Sequence, residues 1–259
     1  MKDDKSDPYA QTLVFYGLGG IIALIIAITR GGFQYQISSD QLPYFIVMAI
    51  FCTLAPILAF NSYKVIEASE ATILFSSQRL WMVFGSFLIL HEVFSLQKVI
   101  GTLVILFGIA IAICRKQKFV INQGLIYALL AAFSYAVADI ASFFILRDFD
   151  VPSLSVYICF IPVVVLLLLK PNTLSKLSFY QKPKYAAAIS IVSLNDTLAS
   201  LAVYFAYQVG RNAAQISPLM ATQIILGVIL AIIILKEHDH LINKIAGALV
   251  VVLGVLLIL

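Results

Sequence analysis

Long apolar runs recur along the whole chain, and they constrain its fold more than any other feature. Runs of about 20 residues match a hydrocarbon core roughly 30 Å thick, and these runs lack the alternation of a membrane barrel. Charged residues make up 12% of the 259 residues, whereas a soluble domain carries about 25%. The sequence therefore predicts an all-α polytopic membrane protein.

Nine transmembrane helices are predicted, called spans 1 to 9 below. They cover residues 11–29, 44–63, 71–90, 98–114, 124–146, 153–170, 185–207, 216–235 and 242–259. The connecting segments are short, so consecutive spans are expected to be antiparallel neighbours. The two longest connections are residues 30–43 and 171–184. No other polar stretch is long enough to fold as a soluble domain.

The chain contains an internal repeat. The pattern K-x-x-G-x-L-V-x-x-x-G occupies residues 98–108 and recurs at residues 244–254, an offset of 146 positions. Upstream, Glu92 recurs as Glu237 with an offset of 145. Weak internal symmetry in an apolar chain is typical of transporter folds.

The repeat pairs spans 2, 3 and 4 with spans 7, 8 and 9. Asp7-Pro8 before span 1 resembles Asp150-Val-Pro152 before span 6, so these two spans also correspond. Span 5 is then left without a partner, which predicts a doubled five-helix unit whose first helix is missing. The repeats are assigned to residues 1–118 and 119–259. An odd number of helices per unit inverts the second copy and predicts a binding site near the membrane midplane.

Motifs at equivalent places in the two halves carry a family resemblance. In the first half they are Ala68-Ser69, Ser76-Ser77, Leu90-His91-Glu92, Gly101 and Gly108; in the second they are Ala213-Ala214, Ser217-Pro218, Leu235-Lys236-Glu237, Gly247 and Gly254. On these residues the chain resembles the EamA family of drug/metabolite transporters. The resemblance implies solute transport through a fold of ten spans with both termini in the cytoplasm. The chain departs from the family in lacking the first span and in having Arg79 where a proline is frequent.

The distribution of basic residues predicts the orientation. The chain has seventeen Lys and Arg. Twelve of them, including Lys244, fall on the side of the N-terminus and four on the other. The positive-inside rule then places the N-terminus in the cytoplasm of a multi-pass protein of the plasma membrane. The family topology without its first span predicts the reverse, and we favour the charge pattern as the more direct physical signal.

Three charged residues lie deep in the predicted spans: Arg79, Asp139 and Asp196, the last flanked by Asn195. Each costs roughly 2.5–3.5 kcal/mol at a helix centre. Such groups are expected to face a partner charge or a wet cavity, and we interpret them as a substrate or proton site. The alternative interpretation is structural, with Arg79 and an aspartate only holding the bundle together. A double charge reversal that restores folding and transport would favour that alternative.

Further polar residues complete the predicted solute site. Gln78 and Gln223 are equivalent in the two halves, and each offers hydrogen-bond donors and acceptors, to a solute or to a neighbouring helix. Asn61 and Tyr204 lie on spans that line the cavity in members of the family, so the resemblance adds them to the site.

We therefore predict a transporter of small polar or amphipathic metabolites, carboxylate-bearing or amino-acid-like because of Arg79, that works by alternating access with proton coupling. The alternatives are an exporter of cationic or drug-like compounds, and a non-transporting membrane partner of another protein. No catalytic, cofactor, metal-binding or nucleic-acid-binding pattern is found in the sequence. The glycine-striped spans 4 and 9 predict a scaffold or a homodimer surface.

Overall fold

The fold consists almost entirely of helices. The computed structural model describes residues 6–90, 96–115, 118–119, 122–210, 224, 226–236 and 240–258. Its α-helices are α1 (Pro8–Arg30), α2 (Leu42–Val65), α3 (Ala68–Phe75), α4 (Gln78–Leu90), α5 (Leu96–Ile113), α6 (Gln123–Ile145), α7 (Val151–Leu169), α8 (Pro183–Gly210), α9 (Leu226–Leu235) and α10 (Leu241–Ile258). A short hairpin, β1 (Cys114–Arg115) and β2 (Lys118–Phe119), follows α5, and a 3-10 helix (Pro171–Gln181) joins α7 to α8.

Five helices in the described part of the chain are long and apolar enough to cross a membrane. They are α1, α2, α6, α7 and α8, whereas α5, α9 and α10 contain shorter apolar segments. The predicted class, a helical polytopic membrane protein, agrees with this arrangement. The count of nine spans stays a prediction.

The structure divides the predicted span 3 (71–90) into two helices. α3 ends at Phe75 and α4 begins at Gln78, with Ser76 and Ser77 between them. The Ser76 backbone N–H and hydroxyl both donate to the Ile73 carbonyl oxygen, at 3.2 and 2.5 Å. A serine that bonds to its own backbone in this way competes with the regular helical hydrogen bonds, which explains the break.

The chain forms two compact units. The first combines the described parts of Met1–Phe60 and Val137–Arg211, and the second those of Asn61–Ala136 and Asn212–Leu259. The first has a core around Met48, Phe149 and Leu154, and the second a core around Ile105 and Val251. Each unit therefore contains helices from both predicted repeats.

In the second unit, α5 and α10 pack through their glycines. A Cβ on Gly108 would lie 2.9 Å from the Gly247 carbonyl oxygen, and one on Gly254 would lie 2.9 Å from the Gly101 carbonyl oxygen. The two contacts are equivalent in the repeat, because Gly101 and Gly108 correspond to Gly247 and Gly254 at the offset of 146 positions. Early residues of α5 meet late residues of α10, so the two helices run antiparallel. Both glycine stripes thus lie in a helix contact within the chain.

In the first unit, α1 and α7 also run antiparallel. Near the start of α1, the Tyr9 ring centroid lies 3.6 Å from the Lys170 ammonium nitrogen, just after α7 ends. Beyond the end of α1, the Gln34 backbone N–H donates to the Ser153 hydroxyl at 2.9 Å, in the first turn of α7. Midway, Gly20 packs against the Phe160 ring, because a Cβ there would lie 2.9 Å from it.

Both helices begin with an aspartate cap followed by proline. The Asp7 carboxylate accepts hydrogen bonds from the Tyr9 and Ala10 backbone N–H groups at 3.0 and 3.1 Å, and the Asp150 carboxylate accepts one from the Ser153 N–H at 2.9 Å. Such caps satisfy the free N–H groups of the first turn. Asp7 additionally forms an ion pair with Lys176 at 2.5 Å.

Asp7 is expected to make stability depend on pH. Burial acts to raise the pKa of its carboxyl, but the hydrogen bond and charge of Lys176 and the two backbone donors hold that pKa below 3.8. The contribution is therefore complete above about pH 4 and is lost as the pH falls through the lower value in the folded protein. Asp7→Asn keeps the cap and loses the ion pair, so the thermal stability of the variant should approach that of the wild type as the pH is lowered to 3.

The matched control for this prediction is Asp150→Asn. Asp150 also caps a helix, but it makes no ion pair with the described residues. Thermal unfolding in detergent between pH 6 and pH 3 measures the difference. A difference between wild type and Asp7→Asn that stays constant with pH would contradict the assignment.

Candidate functional site

Five polar or titratable side chains on four helices of the first unit form a cluster, called the polar cluster below. Asp139 is close enough to interact electrostatically with Cys52 and with Tyr204, Cys52 interacts in the same way with Cys159, and Cys159 interacts with Asp196. The members come from α2, α6, α7 and α8. Four helices that are long and apolar enough to cross a membrane therefore contribute polar groups to one cluster.

Small residues on α1 allow this arrangement. A Cβ on Gly19 would lie 2.7 Å from the Thr197 hydroxyl oxygen and 3.3 Å from the Cys159 sulfur, so α1 can approach both α7 and α8 only because the position is glycine. The Ser193 hydroxyl donates to the Phe15 carbonyl oxygen at 2.6 Å and holds α8 against α1. These contacts fix the turn of α8 that carries Asp196.

The two aspartates differ in their surroundings. Asp139 is partly buried in α6 and takes part in further interactions. Asp196 is exposed on α8, and its carboxylate makes no hydrogen bond or ion pair with the residues that the structure describes. Its neighbour Asn195 donates its amide to the Ile191 carbonyl oxygen of the same helix at 3.0 Å. Asp196 is thus the more accessible of the two carboxylates.

Tyr204 lies eight residues, or about two turns, beyond Asp196 on α8, and it faces α6. Its hydroxyl shares a hydrogen bond with Ser142, whose own hydroxyl donates to the Ala138 carbonyl oxygen at 2.9 Å. This chain of hydrogen bonds orients the tyrosine beside Asp139. The structure therefore brings together three of the predicted site residues, namely Asp139, Asp196 and Tyr204.

The remaining predicted residues belong elsewhere. Arg79 and Gln78 occupy the first turn of α4, immediately after the break at Ser76 and Ser77, and both are partly buried and engaged in interactions. Asn61 lies on α2 in the second unit and is likewise engaged. Gln223 lies outside the described residues. Pairing of Arg79 with an aspartate stays a prediction.

A buried ion pair in the second unit was not predicted. Lys244, in the first turn of α10, is fully buried and pairs with Glu67, which precedes α3. The orientation count treated Lys244 as a loop lysine, and this treatment is wrong because the side chain has no access to solvent. The repetition of Lys98 as Lys244 was the only signal in the sequence, and it did not indicate the partner.

Two cysteines of the polar cluster, Cys52 and Cys159, are buried and free. Their position beside Asp139 and Asp196 was not predicted, since helical spacing within one span carries no information about its neighbours. Among the described residues, no group of three or more His, Cys, Asp or Glu side chains is placed to hold a metal ion.

The fold and the polar cluster define a polytopic helical membrane protein with charged groups inside its spanning segments. The model of the EamA-like transporter family matches residues 3–114 and 122–259, which is nearly the whole chain. The chain belongs to this family, within the drug/metabolite transporter superfamily, and members of the family are transporters and not enzymes. The resemblance deduced from the sequence motifs is confirmed.

Solved structures support the fold. Twenty-three chains of known structure match this one. One of them, a crystal structure of a protein, superimposes with a TM-score of 0.56 and 14% sequence identity, covering 97% of this chain and 87% of the other. At that identity the likeness concerns the fold alone. No curated protein matches the chain significantly.

Proposed function

We propose that this protein is a secondary transporter that moves small polar or amphipathic solutes across the plasma membrane by alternating access, without ATP hydrolysis. The observation that carries the proposal is the polar cluster, in which Asp139 and Asp196 stand on two different spanning helices of a chain from a transporter family. A charged group at such depth costs roughly 2.5–3.5 kcal/mol, and groups of this kind typically mark solute or proton pathways.

The proposed architecture is an inverted repeat with nine spans and the N-terminus in the cytoplasm. Two pairs of helices that correspond in the sequence repeat, α1 with α7 and α5 with α10, pack antiparallel. Antiparallel packing of equivalent helices is what an inverted repeat requires. The orientation rests on the basic residues at the helix ends and in the connections, with Lys244 removed from the count.

Each site residue has a proposed role. Arg79 binds a carboxylate of an amino-acid-like solute through its planar guanidinium, at the start of a helix that follows a break. Gln78, Gln223, Asn61, Asn195 and Tyr204 supply hydrogen bonds. Asp196 takes up a proton and couples its movement to that of the solute, since it has no protein partner among the described residues.

Arg79→Gln is expected to reduce transport roughly 10-fold to 100-fold, which corresponds to the loss of one charge-assisted hydrogen bond. Counterflow of a mixture of labelled amino acids into vesicles containing the purified protein measures the effect. The matched control is Arg147→Gln, which changes an exposed arginine of the first unit and should leave counterflow unchanged. Full activity of Arg79→Gln at normal membrane insertion would overturn the assignment.

The unpartnered carboxylate of Asp196 favours one competing function, the export of cationic compounds. The same vesicles distinguish the two, because a labelled quaternary ammonium compound would then undergo counterflow and the amino acids would not. Asp196→Asn should abolish counterflow of a cation. For a proton-coupled amino-acid carrier, the variant should instead lose only the uptake driven by a pH gradient.

A further inference from the structure

A cavity of about 110 Å³ in the first unit lies away from the polar cluster. It opens among the first turns of α1 and α8, the 3-10 helix and the last turns of α2. Five aromatic rings and several smaller side chains line it: Ser6, Gln11, Phe15, Phe60, Phe179, Tyr180, Tyr185, Ala188, Ile189 and Val192. Ser6, Phe179 and Tyr180 lie outside the long apolar helices, and the other lining residues lie in the end turns of α1, α2 and α8, so the cavity is placed towards one end of these helices.

One amide lines the cavity without a hydrogen bond to the described protein. Gln11 is only 7% exposed, and its side chain makes no hydrogen bond with the residues that the structure describes. Its donor and acceptor are therefore open to a molecule that enters the cavity. Of the other polar side chains in the lining, the Tyr180 hydroxyl donates to the Asp7 carbonyl oxygen at 3.4 Å, and Ser6 and Tyr185 are engaged in interactions as well.

The rings around the cavity are held in place by one another. Phe179 stacks on Tyr185 with centroids 4.4 Å apart, and Phe15 meets Phe60 edge to face at 5.9 Å. Such contacts stabilise the walls in the absence of a ligand. The walls contain no charged side chain, so the part of a ligand that enters must be apolar or weakly polar.

Positive charge lies beside this apolar cavity. The Lys182 ammonium nitrogen lies 5.7 Å from the centroid of the Phe179 ring, and Lys184 precedes Tyr185. Both lysines are exposed, and neither pairs with an acidic group among the described residues. Within the part of the chain that the structure describes, the carboxylate nearest this end belongs to Asp7, and it is already paired with Lys176. A ligand for this region therefore combines an apolar body with a negative head.

The apolar wall continues along a spanning helix. Val192 lines the cavity and is 46% exposed, and Ile191, Leu194 and Leu198 on the following turns of α8 are exposed as well. An acyl chain is long enough to contact this surface towards the membrane centre, whereas a small solute is too short to contact it along its length.

We propose that this cavity binds one anionic phospholipid, with its glycerol ester region at Gln11, an acyl chain along the aromatic wall and α8, and its phosphate near Lys182 and Lys184. The proposal is independent of the transported solute. It assigns to the first unit a lipid site that would hold the 3-10 helix and the start of α1 together.

Delipidated protein in mild detergent, incubated with equal amounts of phosphatidylglycerol and phosphatidylcholine of the same chain length, tests the proposal. Native mass spectrometry should show one retained phosphatidylglycerol, preferred roughly 20-fold, because each lysine near an anionic headgroup contributes about fivefold. Lys182→Gln with Lys184→Gln should remove the preference. Arg30→Gln with Arg147→Gln removes the same charge from exposed residues at the opposite end of α1 and between α6 and α7, and this double variant should keep the preference.

A second pair of variants tests the cavity itself. Ala188→Phe fills the space and should abolish retention, whereas Ala187→Phe alters the neighbouring exposed residue that does not line the cavity and should not. Equal retention of both lipids by the wild type, an unchanged preference after neutralising the two lysines, or equal behaviour of the two phenylalanine variants would each overturn the proposal. So would thermal stabilisation by glycerol phosphate equal to that by the lipid.

Discussion

Replacing Lys244 with methionine is expected to lower the free energy of unfolding by about 3–5 kcal/mol, because it leaves the Glu67 carboxylate with its partner removed in a buried position. The Lys244 side chain is fully buried and only 18% of the Glu67 side chain is accessible. Thermal unfolding of the detergent-solubilised protein, followed by Trp81 fluorescence, should show the loss as a midpoint lowered by roughly 10 °C.

Two further variants test whether the broken ion pair causes this loss of stability. Adding Glu67→Gln to Lys244→Met should restore much of the stability, since the Glu67 side chain then carries no charge that needs a partner. Lys176→Met breaks the exposed pair with Asp7, in which 57% of the lysine side chain is accessible, and should cost at most about 1 kcal/mol. If the buried and exposed lysines gave equal losses, the ion pair of Lys244 would not be the source of the effect.

Gly108→Ala is expected to destabilise the second unit by about 1–3 kcal/mol, because the contact between α5 and α10 leaves no room for a methyl group. The new Cβ would lie 2.7 Å from the Val251 backbone nitrogen and 2.9 Å from the Gly247 carbonyl oxygen. These are backbone atoms that cannot move without separating the helices. Gly254→Ala should have a similar effect, because its Cβ would lie 2.7 Å from the Ile105 backbone nitrogen in the reciprocal contact.

Gly17→Ala is the matched control for these glycines. Nothing lies within 4 Å of the position that its Cβ would take, so alanine should stabilise α1 by about 0.5–1 kcal/mol through its helix propensity. Thermal midpoints of the three variants provide the comparison. A Gly108→Ala protein as stable as the wild type would mean that α5 and α10 do not pack at this distance.

Most helices could be predicted from local features of the sequence. α1 and α7 begin three and two residues before the predicted starts at residues 11 and 153, because the aspartate caps and prolines of Asp7-Pro8 and Asp150-Val-Pro152 start each helix ahead of its apolar run. α2 and α6 follow the predicted apolar runs within two residues. The length of an apolar run and the cost of exposing backbone groups to lipid depend on neighbouring residues only.

The break between α3 and α4 shows where local prediction failed. An apolar run through Ser76 and Ser77 was interpreted as one span, since serine is tolerated in membrane helices. The outcome depends on whether the serine hydroxyl bonds back to Ile73, a choice between two local hydrogen-bond patterns of similar energy. The connection at 171–184 was predicted without any structure of its own being assigned, and it contains a 3-10 helix over Pro171–Gln181 that packs on α1.

The residues of the candidate site could likewise be predicted only in part. Asp139, Asp196 and Arg79 could be found in the sequence because a charge inside an apolar run is conspicuous by itself. The neighbours of those charges could not be found, since Cys52 and Cys159 lie 107 positions apart and resemble any other core cysteine. Glu67 and Lys244 are separated by 177 positions, and nothing in either segment indicates the other.

By itself, the amino-acid sequence determined that this chain crosses a membrane as helices, that it contains a repeat, and which residues carry charge into the apolar region. These properties follow from transfer free energies and hydrogen-bond satisfaction, which act residue by residue along the chain. Only the tertiary structure decided that Gly108 and Gly254 bring α5 against α10, that Lys244 is buried, and that Asp139 and Tyr204 meet. Those outcomes depend on close packing between distant segments, where a single Cβ or an unpaired charge decides which helices can touch.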